Sequence, residues 1–258
     1  MNLINDFVSP AVKFNKPPKT FEEQIELLQS RGMVVNDRPS AYHYLSHLNY
    51  YRLVPYWLPF QTDRVTHQFE QETTFDKVVS IYMFDKKLRL LILDAIDRVE
   101  VSIRTQFAYY FAHKYGAHAY LDKKYYVKED EFSKDLDKFR HGFSISKEVF
   151  IAHYKNTYTE PEMPPIWAAC EIMSLGLLSK LYSNLESKDI RQAISNTYDL
   201  DHMVMASFLH HLTYVRNLCA HHSRIWDREF KIKMKIPKSR PILLVESSSE
   251  ATPQTNEP

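Results

Sequence analysis

Glycine and cysteine are both scarce in this sequence. The chain of 258 residues contains four glycines, Gly32, Gly116, Gly142 and Gly176. So few glycines argue against glycine-rich phosphate-binding loops and against a sheet with many tight turns. The two cysteines, Cys170 and Cys219, are too few for a disulfide framework and lack the spacing of metal ligands.

The sequence also lacks long apolar runs and any large excess of charge. Its most apolar stretches, such as LRLLILDAI, are short and interrupted by charged residues, which argues against a membrane-spanning helix. The first ten residues, MNLINDFVSP, lack the features of a signal peptide, so we expect a soluble cytoplasmic protein. The net charge of +1 predicts no strong overall attraction to nucleic acids. Any site for a polyanion must therefore arise from local clustering of basic residues.

Apolar residues at helical spacing are plentiful. Hydrophobic residues make up 44% of the chain, enough for a sizeable core. Between Thr74 and Tyr115 apolar residues recur every three or four positions without a proline, which predicts one long amphipathic helix. Its expected apolar stripe consists of Phe84, Leu88, Leu91, Ala95, Val99, Ile103, Phe107 and Tyr110. With no convincing strand anywhere, the pattern predicts an all-α helical bundle.

Further helices are predicted on both sides of the long one. The capping box TFEE opens a helix after Thr20 that should stop near Gly32, and a second, short helix is expected to begin after Pro39. Two prolines in NYYRLVPYWLPF are expected to break regular structure. Two or three short helices should cover 130–160. The last three predicted helices are a continuous one from Pro165 through LSKLYSNL, a short one at 188–197, and one from Asp201 onward.

These patterns divide the chain into four predicted segments. A flexible leader spans 1–18 and an N-terminal helical appendage spans 19–70. The main helical domain covers 71–236. A disordered tail occupies 237–258 because this stretch is rich in Pro, Ser and polar residues.

The stretch TYVRNLCAHH, residues 213–222, concentrates nitrogen-bearing side chains at the end of the last strong helix. The predicted core stripe of this helix is Met205, Phe208, Leu212, Val215 and Cys219. At roughly 100° per residue, Arg216 falls at the edge of that stripe, while Asn217 and His221 project nearly opposite it. A continuous helix separates Arg216 and His221 by about 140°. They converge only if the helix ends or distorts here, or if a groove or second subunit closes over them.

A metal site is the first chemistry to weigh for this stretch. The histidines form two adjacent pairs, His210 with His211 and His221 with His222. Eleven residues of helix rise about 16 Å, whereas zinc ligands lie about 2 Å from the metal. The two pairs therefore cannot share one metal unless the helix breaks, and we predict no metal and no cofactor.

RNA cleavage without a metal is the second chemistry that these residues fit. RNA carries its own nucleophile, the 2′-hydroxyl, beside each phosphate. Histidine exchanges protons near neutral pH, and the planar guanidinium of arginine suits phosphate oxygens. Arg216, Asn217 and His221 thus form a minimal set for acid–base catalysis, charge stabilisation and orientation. A surface helix end with solvated histidines is the competing interpretation.

Four segments in order resemble the Abi family of bacterial abortive-infection proteins, of the AbiD/AbiF type. They are LNYYRLVPYW at 48–57, AIDRVEVSIRTQ at 95–106, PPIWAACEIMSLGLLSKLY at 164–182 and VRNLCAHHSRIW at 215–226. The last segment also resembles the R-x(4–6)-H motif of HEPN ribonucleases. Together the resemblance covers roughly residues 16–235.

The resemblance implies an all-α HEPN-like domain whose active site is completed by homodimerisation. It also implies a metal-independent endoribonuclease that leaves 2′,3′-cyclic phosphate ends and acts as a toxin in phage defence. The motif places the catalytic residues at Arg216, Asn217 and His221, with His222 as an extra histidine able to share the role. Such a toxin needs restraint, for which the family suggests a small non-coding RNA or another antitoxin as partner.

Three further sets of residues have both a structural and a functional interpretation. Glu100 and Arg104, spaced i, i+4, form either a surface ion pair or a support that orients Arg216 or His221. Tyr50, Tyr51 and Arg52 form either buried packing in the appendage or a platform that stacks RNA bases. The basic segment after the motif is either a solvated end or a strip that tracks RNA phosphates. Its members are Arg228, Lys231, Lys233 and Lys235.

Two other classes of function remain open at this stage. One is a non-catalytic RNA-binding helical module that sequesters a structured small RNA. The other is a helical dimer that binds only proteins. Neither the RNA target nor the trigger of the toxin can be read from the sequence.

Overall fold

The computed structural model describes residues 15–250, and within that range the chain forms eleven α-helices, three short 3-10 turns and no β-sheet. The predicted all-α class is confirmed. The chain divides into two compact units, one ending at Asp85 and the other beginning at Lys86. The first unit thus continues past residue 70, the predicted end of the appendage. Of the predicted flexible leader, residues 1–14 lie outside the described range.

Three helices precede the long one: α1 (Phe21–Ser30), α2 (Arg38–His47) and α3 (Tyr50–Trp57). The capping box predicted for α1 is present, because the Thr20 and Glu23 side chains each accept a hydrogen bond from the backbone N–H of the other. The predicted stop of this helix is also confirmed. Gly32 follows α1 with a φ of +91°, a conformation that glycine adopts without steric cost.

The prediction that Pro55 breaks regular structure is wrong. Pro55 lies inside α3, where it removes one backbone hydrogen bond at a cost of about 3 kcal/mol. The neighbouring Leu53, Tyr56 and Trp57 are all fully buried. Burial of a large apolar side chain stabilises the folded state by about 1.5–3 kcal/mol. Their packing offsets the lost bond. Pro59 falls in the 3-10 turn Leu58–Phe60 that follows.

The predicted long helix is confirmed as α4 (Phe75–Tyr115). Its apolar stripe is only partly a core stripe, which corrects the prediction. Ile103 and Phe107 are completely buried, but Phe84 is 54% and Leu91 is 70% exposed. Periodicity identifies an amphipathic surface, and it does not reveal which stretch of that surface another element covers.

The middle of the second unit contains α5 (Glu129–Ile145) and α6 (Val149–Thr157), as predicted for 130–160. The continuous helix predicted after Pro165 is wrong, because Met173 is extended and separates α7 (Ile166–Ile172) from α8 (Leu175–Asn184). The Ser174 hydroxyl accepts a hydrogen bond from the Leu177 N–H and caps α8. A serine that competes with helical hydrogen bonding therefore restarts the helix in a new direction.

The last two helices of the bundle are α9 (Lys188–Asn196) and α10 (His202–Ala220), both at their predicted places. Asp201 caps α10 by accepting hydrogen bonds from the N–H groups of Met203 and Val204. Buried side chains from several helices form the core of this unit. Fully buried members include Phe107, Phe111, Ile166, Leu178, Tyr182, Met205 and Leu209.

A further helix, α11 (Ile242–Glu250), lies inside the segment predicted as a disordered tail. Ile242 and Leu243 are exposed at its start, whereas Leu244 is partly buried and packs against the core of the second unit. Residues 251–258 of that segment are outside the described range. No helix between residues 15 and 250 is both long enough and apolar enough to cross a membrane.

The contribution of the Asp201 N-cap to the stability of α10 can be tested by mutation. The hydrogen bond from the Met203 N–H holds the pKa of Asp201 below its usual range, with a smaller contribution from His202. A depressed pKa stabilises the folded state above the unfolded pKa, and this contribution is lost as pH falls through the folded value. Asp201→Ala is expected to lower the free energy of unfolding by about 1 kcal/mol near neutral pH.

Chemical denaturation at several pH values measures this contribution. The difference between wild type and Asp201→Ala should shrink below about pH 4, where aspartate becomes protonated. Asp201→Asn is the matched control, because asparagine caps helices equally well without the charge. If the Ala and Asn variants lose the same free energy of unfolding at neutral pH, the capping hydrogen bond is not the main contribution of Asp201 to stability.

Candidate functional site

The end of α10 separates buried from exposed side chains as the sequence predicts. Val215 and Cys219 are buried in the core of the second unit. Arg216 and Asn217, between them, are exposed. Within the described residues, neither of these two side chains forms a hydrogen bond or an ion pair. Both are therefore available to a ligand from solvent.

Helix α10 ends inside the motif, in a turn made by the two histidines. His221 is the C-cap, and His222 has a φ of +56°, in the left-handed region. The His222 N–H donates to the Cys219 carbonyl at 3.1 Å, and the Ser223 N–H donates to the Leu218 carbonyl at 2.8 Å. This pair of bonds defines a Schellman motif, in which glycine usually occupies the left-handed position. The left-handed backbone conformation is strained for a histidine, and strained backbone conformations are frequent at functional sites.

The helix ends within the motif, but His221 still donates its N–H to the Asn217 carbonyl, so the turn alone does not bring His221 towards Arg216. The sequence required the helix to end or distort at this point, or a second subunit to face it. The helix does end, because Ala220 is its last residue and the chain reverses through His221 and His222. Both histidines are exposed. Arg216 and His221 form no direct hydrogen bond in the described part of the chain.

The other histidine pair of α10 does not join the motif. His210 is exposed, whereas the His211 ring donates from Nδ1 to the Ile232 carbonyl at 2.6 Å and packs edge-on against Phe230. Between residues 15 and 250, no group of three or more His, Cys, Asp or Glu side chains is placed to hold a metal ion. His211 is thus a structural residue that anchors the chain after the motif.

Glu100 and Arg104 form an ion pair that is mostly buried, with 12% and 17% of their side chains exposed. Arg104 also donates from Nη2 to the Met173 carbonyl at 2.9 Å, and its Nη1 lies 3.9 Å from Glu171. The pair therefore ties α4 to the break between α7 and α8. It does not hydrogen bond to Arg216 or His221 in the described residues, so a role in orienting them stays a prediction.

The basic segment after the motif forms neither helix nor strand, bends at Lys231 and Ile232, and lies beside α10. Phe230, Ile232 and Met234 are partly buried, while Lys231, Lys233 and Lys235 alternate with them and are exposed. The Lys235 N–H donates to Ser207 Oγ, and the bond from His211 holds Ile232. The segment thus follows α10 back towards its N-terminus, away from the motif. Every second position carries a lysine facing solvent.

Not every cation of this segment is unpaired. Arg228 donates to the Arg224 carbonyl, and Lys233 pairs with Glu229 at 3.0 Å. The Lys231 side chain is exposed and forms no hydrogen bond or ion pair among the described residues. Lys231, Lys233 and Lys235 are three exposed cations within five residues, as a phosphate-tracking strip needs.

The aromatic cluster of the first unit is divided between packing and exposure. The Tyr50 hydroxyl accepts a hydrogen bond from Arg31, and its ring packs edge-on against buried Trp57. Burial raises the pKa of Tyr50. Tyr51, in contrast, is one of the most exposed aromatic side chains described, and Arg52 is exposed beside it. Tyr50 is therefore a packing residue, and only Tyr51 and Arg52 stay candidates for contact with RNA.

The sequence did not reveal a groove where α5, α8 and α10 meet. Its volume is about 480 Å³, and Asn217 contributes to its wall. Asp135, a buried carboxylate on α5, lies there with Lys180 of α8 at 2.9 Å and Lys138 at 3.9 Å. We call this the α5–α8–α10 groove. Asp135 and Lys180 are 45 residues apart, and no local sequence pattern connects residues so distant.

The remaining nucleophile of this region is unreactive. Cys170 on α7 is buried, and this burial raises the pKa of its thiol to about 12. A thiolate is therefore scarce at Cys170 near neutral pH, which disfavours this cysteine as a nucleophile.

A family model described as Abi-like protein matches residues 43–227, which is well over half of the chain. The matched range contains all four segments on which the resemblance was based, including the motif at 215–226. All four members of the basic segment, from Arg228 to Lys235, lie beyond it. No curated protein and no solved structure matches the chain.

The buried ion pair on α4 provides a stability test. Arg104→Met is expected to lower the free energy of unfolding by about 3 kcal/mol, because it leaves the Glu100 carboxylate buried without its cation. The double variant Glu100→Gln/Arg104→Met should be less destabilised than the single variant, since no uncompensated charge remains. Urea denaturation of the four proteins in this cycle measures the coupling. A double variant at least as unstable as Arg104→Met would show that the charge pair is not what stabilises this contact.

Proposed function

The chain belongs to the family of Abi-like proteins, which suggests a role in abortive infection and phage defence, and we propose that it fulfils this role as a metal-independent endoribonuclease of the HEPN type. The observation that carries this proposal is the end of α10. Arg216, Asn217 and His221 are exposed together at a strained helix terminus, while Cys219 between them is buried and Leu218 and Ala220 are partly buried. Packing alone does not require three exposed nitrogen-bearing side chains at this place.

The chemistry follows from the properties of RNA and of these side chains. His221 takes the proton of a 2′-hydroxyl, whose oxygen attacks the adjacent phosphorus. The bond from phosphorus to the 5′-oxygen then breaks, and that oxygen receives a proton from a second histidine or from water. The products are a 2′,3′-cyclic phosphate and a 5′-hydroxyl, so atoms and protons balance. No metal is needed, because the nucleophile is part of the substrate.

The other residues of the motif have supporting roles in this scheme. Arg216 holds the non-bridging phosphate oxygens, on which negative charge builds in the transition state. Asn217 orients the substrate or the histidine through its amide. His222, beside His221, is placed to serve as the acid that protonates the leaving 5′-oxygen. Lys231 and Lys235 would contact phosphates further along the RNA.

A homodimer would complete this site. Arg216 and His221 are on one helix end without a direct hydrogen bond between them. Two copies of the α10 terminus that face each other would pool two arginines and up to four histidines around one phosphate. A toxin of this kind also needs restraint, which we assign to a small structured RNA or another antitoxin.

Cleavage assays with histidine variants test the proposal. Wild-type protein should cleave single-stranded RNA in the presence of EDTA, and His221→Ala should cleave about 10²–10⁴-fold more slowly, the usual contribution of a general acid or base. His210→Ala is the matched control, because His210 is also exposed on α10 but lies outside the motif. Gel analysis should show 2′,3′-cyclic phosphate ends.

The remaining motif residues separate the roles within the site. His222→Asn is preferred over His222→Ala, because asparagine tolerates the left-handed backbone that this position adopts. A smaller loss for His222→Asn than for His221→Ala would identify His221 as the main acid–base group. Equal RNA binding by wild type and His221→Ala, without cleavage by either, would instead support the non-catalytic RNA-binding module.

A further inference from the structure

The α5–α8–α10 groove is a second feature of the same end of the second unit. It is lined by polar and apolar residues of α5, α8 and α10, by Ile172 at the end of α7, and by Ser174 in the break before α8. The lining residues on which the inference depends are Asp135, Lys138, Gly142, Leu177, Lys180 and Asn217. Its volume of about 480 Å³ lies within the range of natural ligand pockets, roughly 300–1,000 Å³. The groove is therefore large enough for one nucleotide.

The charges in the groove are arranged to hold an anion. Asp135 has only 8% of its side chain exposed and lies against Lys180 at 2.9 Å and Lys138 at 3.9 Å. One buried carboxylate thus fixes two lysines whose side chains are largely exposed. Two cations against one anion leave a net positive charge at the rim. Two lysine ammonium groups next to one another favour phosphate, because both can form charge-assisted hydrogen bonds to its oxygens.

The walls of the groove suit the apolar face of a base. Ile172 and Leu177 are partly buried and present aliphatic surface, and Phe139 lies beneath them. Ser174 and Thr213 add hydroxyls that already bond to the backbone, at Leu177 and Leu209. An apolar wall with a cationic rim and a few hydroxyls matches a nucleotide better than it matches a free inorganic anion.

Two glycines determine the shape of the groove. At Gly176 an added Cβ would lie 3.3 Å from Thr213 Cγ2, so α8 approaches α10 closely there. At Gly142, on α5, an added Cβ would meet nothing within 4 Å. Gly142 is inside a helix, where glycine is about 1 kcal/mol less favourable than alanine. Its lack of a side chain leaves the space of the groove open.

The position of Asn217 connects the groove with the motif. Asn217 lines the groove, follows Arg216 directly, and lies one helical turn before His221. We propose that the α5–α8–α10 groove binds the nucleotide next to the scissile phosphate of an RNA substrate. Lys138 and Lys180 hold its phosphate, and Ile172 and Leu177 contact its base. This inference rests on the proposed ribonuclease function, and its test is designed to fail separately from that function.

The test measures RNA binding by a protein that does not cleave. Fluorescence polarisation of a labelled single-stranded RNA is measured on the His221→Ala background, with Gly142→Trp added to fill the groove. Affinity should fall about tenfold or more, since contact with one base contributes this much. Gly142→Ala should cause a smaller loss than Gly142→Trp. Ser144→Trp is the matched control, because Ser144 is exposed two positions further on α5 and does not line the groove.

A charge variant tests the groove independently of its shape. Lys138→Gln should weaken RNA binding and reduce the slope of log affinity against log salt by about 0.7, the value for one phosphate contact on a single strand. Lys138 is chosen over Lys180 because its contact with Asp135 is longer. Lys147→Gln is the control, since Lys147 is exposed in the loop after α5 and outside the groove. Circular dichroism verifies that each variant is folded.

The outcomes distinguish this inference from the proposed function. Equal affinity for Gly142→Trp and Ser144→Trp, an unchanged salt slope for Lys138→Gln, or no RNA binding at all would overturn the groove as a nucleotide site. If wild type fails to cleave RNA but its binding depends on Gly142 and Lys138, the ribonuclease proposal fails and the groove stands. If wild type cleaves and the groove variants bind normally, only the groove is rejected.

Discussion

The turn that ends α10 is the constraint on which the candidate site depends. Two backbone hydrogen bonds, from His222 to Cys219 and from Ser223 to Leu218, close the helix within the motif. They require His222 to adopt a left-handed conformation that costs a non-glycine residue about 1–2 kcal/mol. His221 still follows the helix, because its N–H donates to the Asn217 carbonyl at 3.0 Å, and the chain leaves the helical path at His222. The core packing of Val215 and Cys219 holds the last turn in place while its outer face remains in solvent.

Close packing of the neighbouring helices shapes the surface next to this turn. Arg104 fixes the break at Met173 through the carbonyl of that residue, and the break allows α8 to start in its own direction. Gly176 then lets α8 approach α10 closely, with Thr213 in contact. Asp135 is buried at the same place and holds Lys180 and Lys138 at the edge of the groove. One polar network thus positions a helix break, and a second positions two cations.

Local patterns predicted the helices better than they predicted their environment. The capping residues Thr20 and Asp201 and the proline-free period of α4 act over a few residues, so the sequence reveals them directly. The helix through Pro55 and the break at Met173 depend on side chains that pack from elsewhere, and they could not be predicted locally. The exposure of Phe84 and Leu91 has the same origin. A helical period shows that a face is apolar and leaves open what covers it.

The sequence by itself determined the all-α class, the position of α10 and the residues that its outer face offers to chemistry. Hydrophobic spacing assigned Val215 and Cys219 to the core and left Arg216, Asn217 and His221 outside, because burial at a period of 3.6 residues is a local property. Only the tertiary structure decided that the helix ends at Ala220, that Tyr50 is a packing residue, and that Asp135 joins Lys180 beside Asn217. The packing of Tyr50 and the pairing of Asp135 with Lys180 depend on contacts between residues far apart in the chain, which no local pattern encodes, and the helix end depends on a histidine in a backbone conformation that glycine usually adopts.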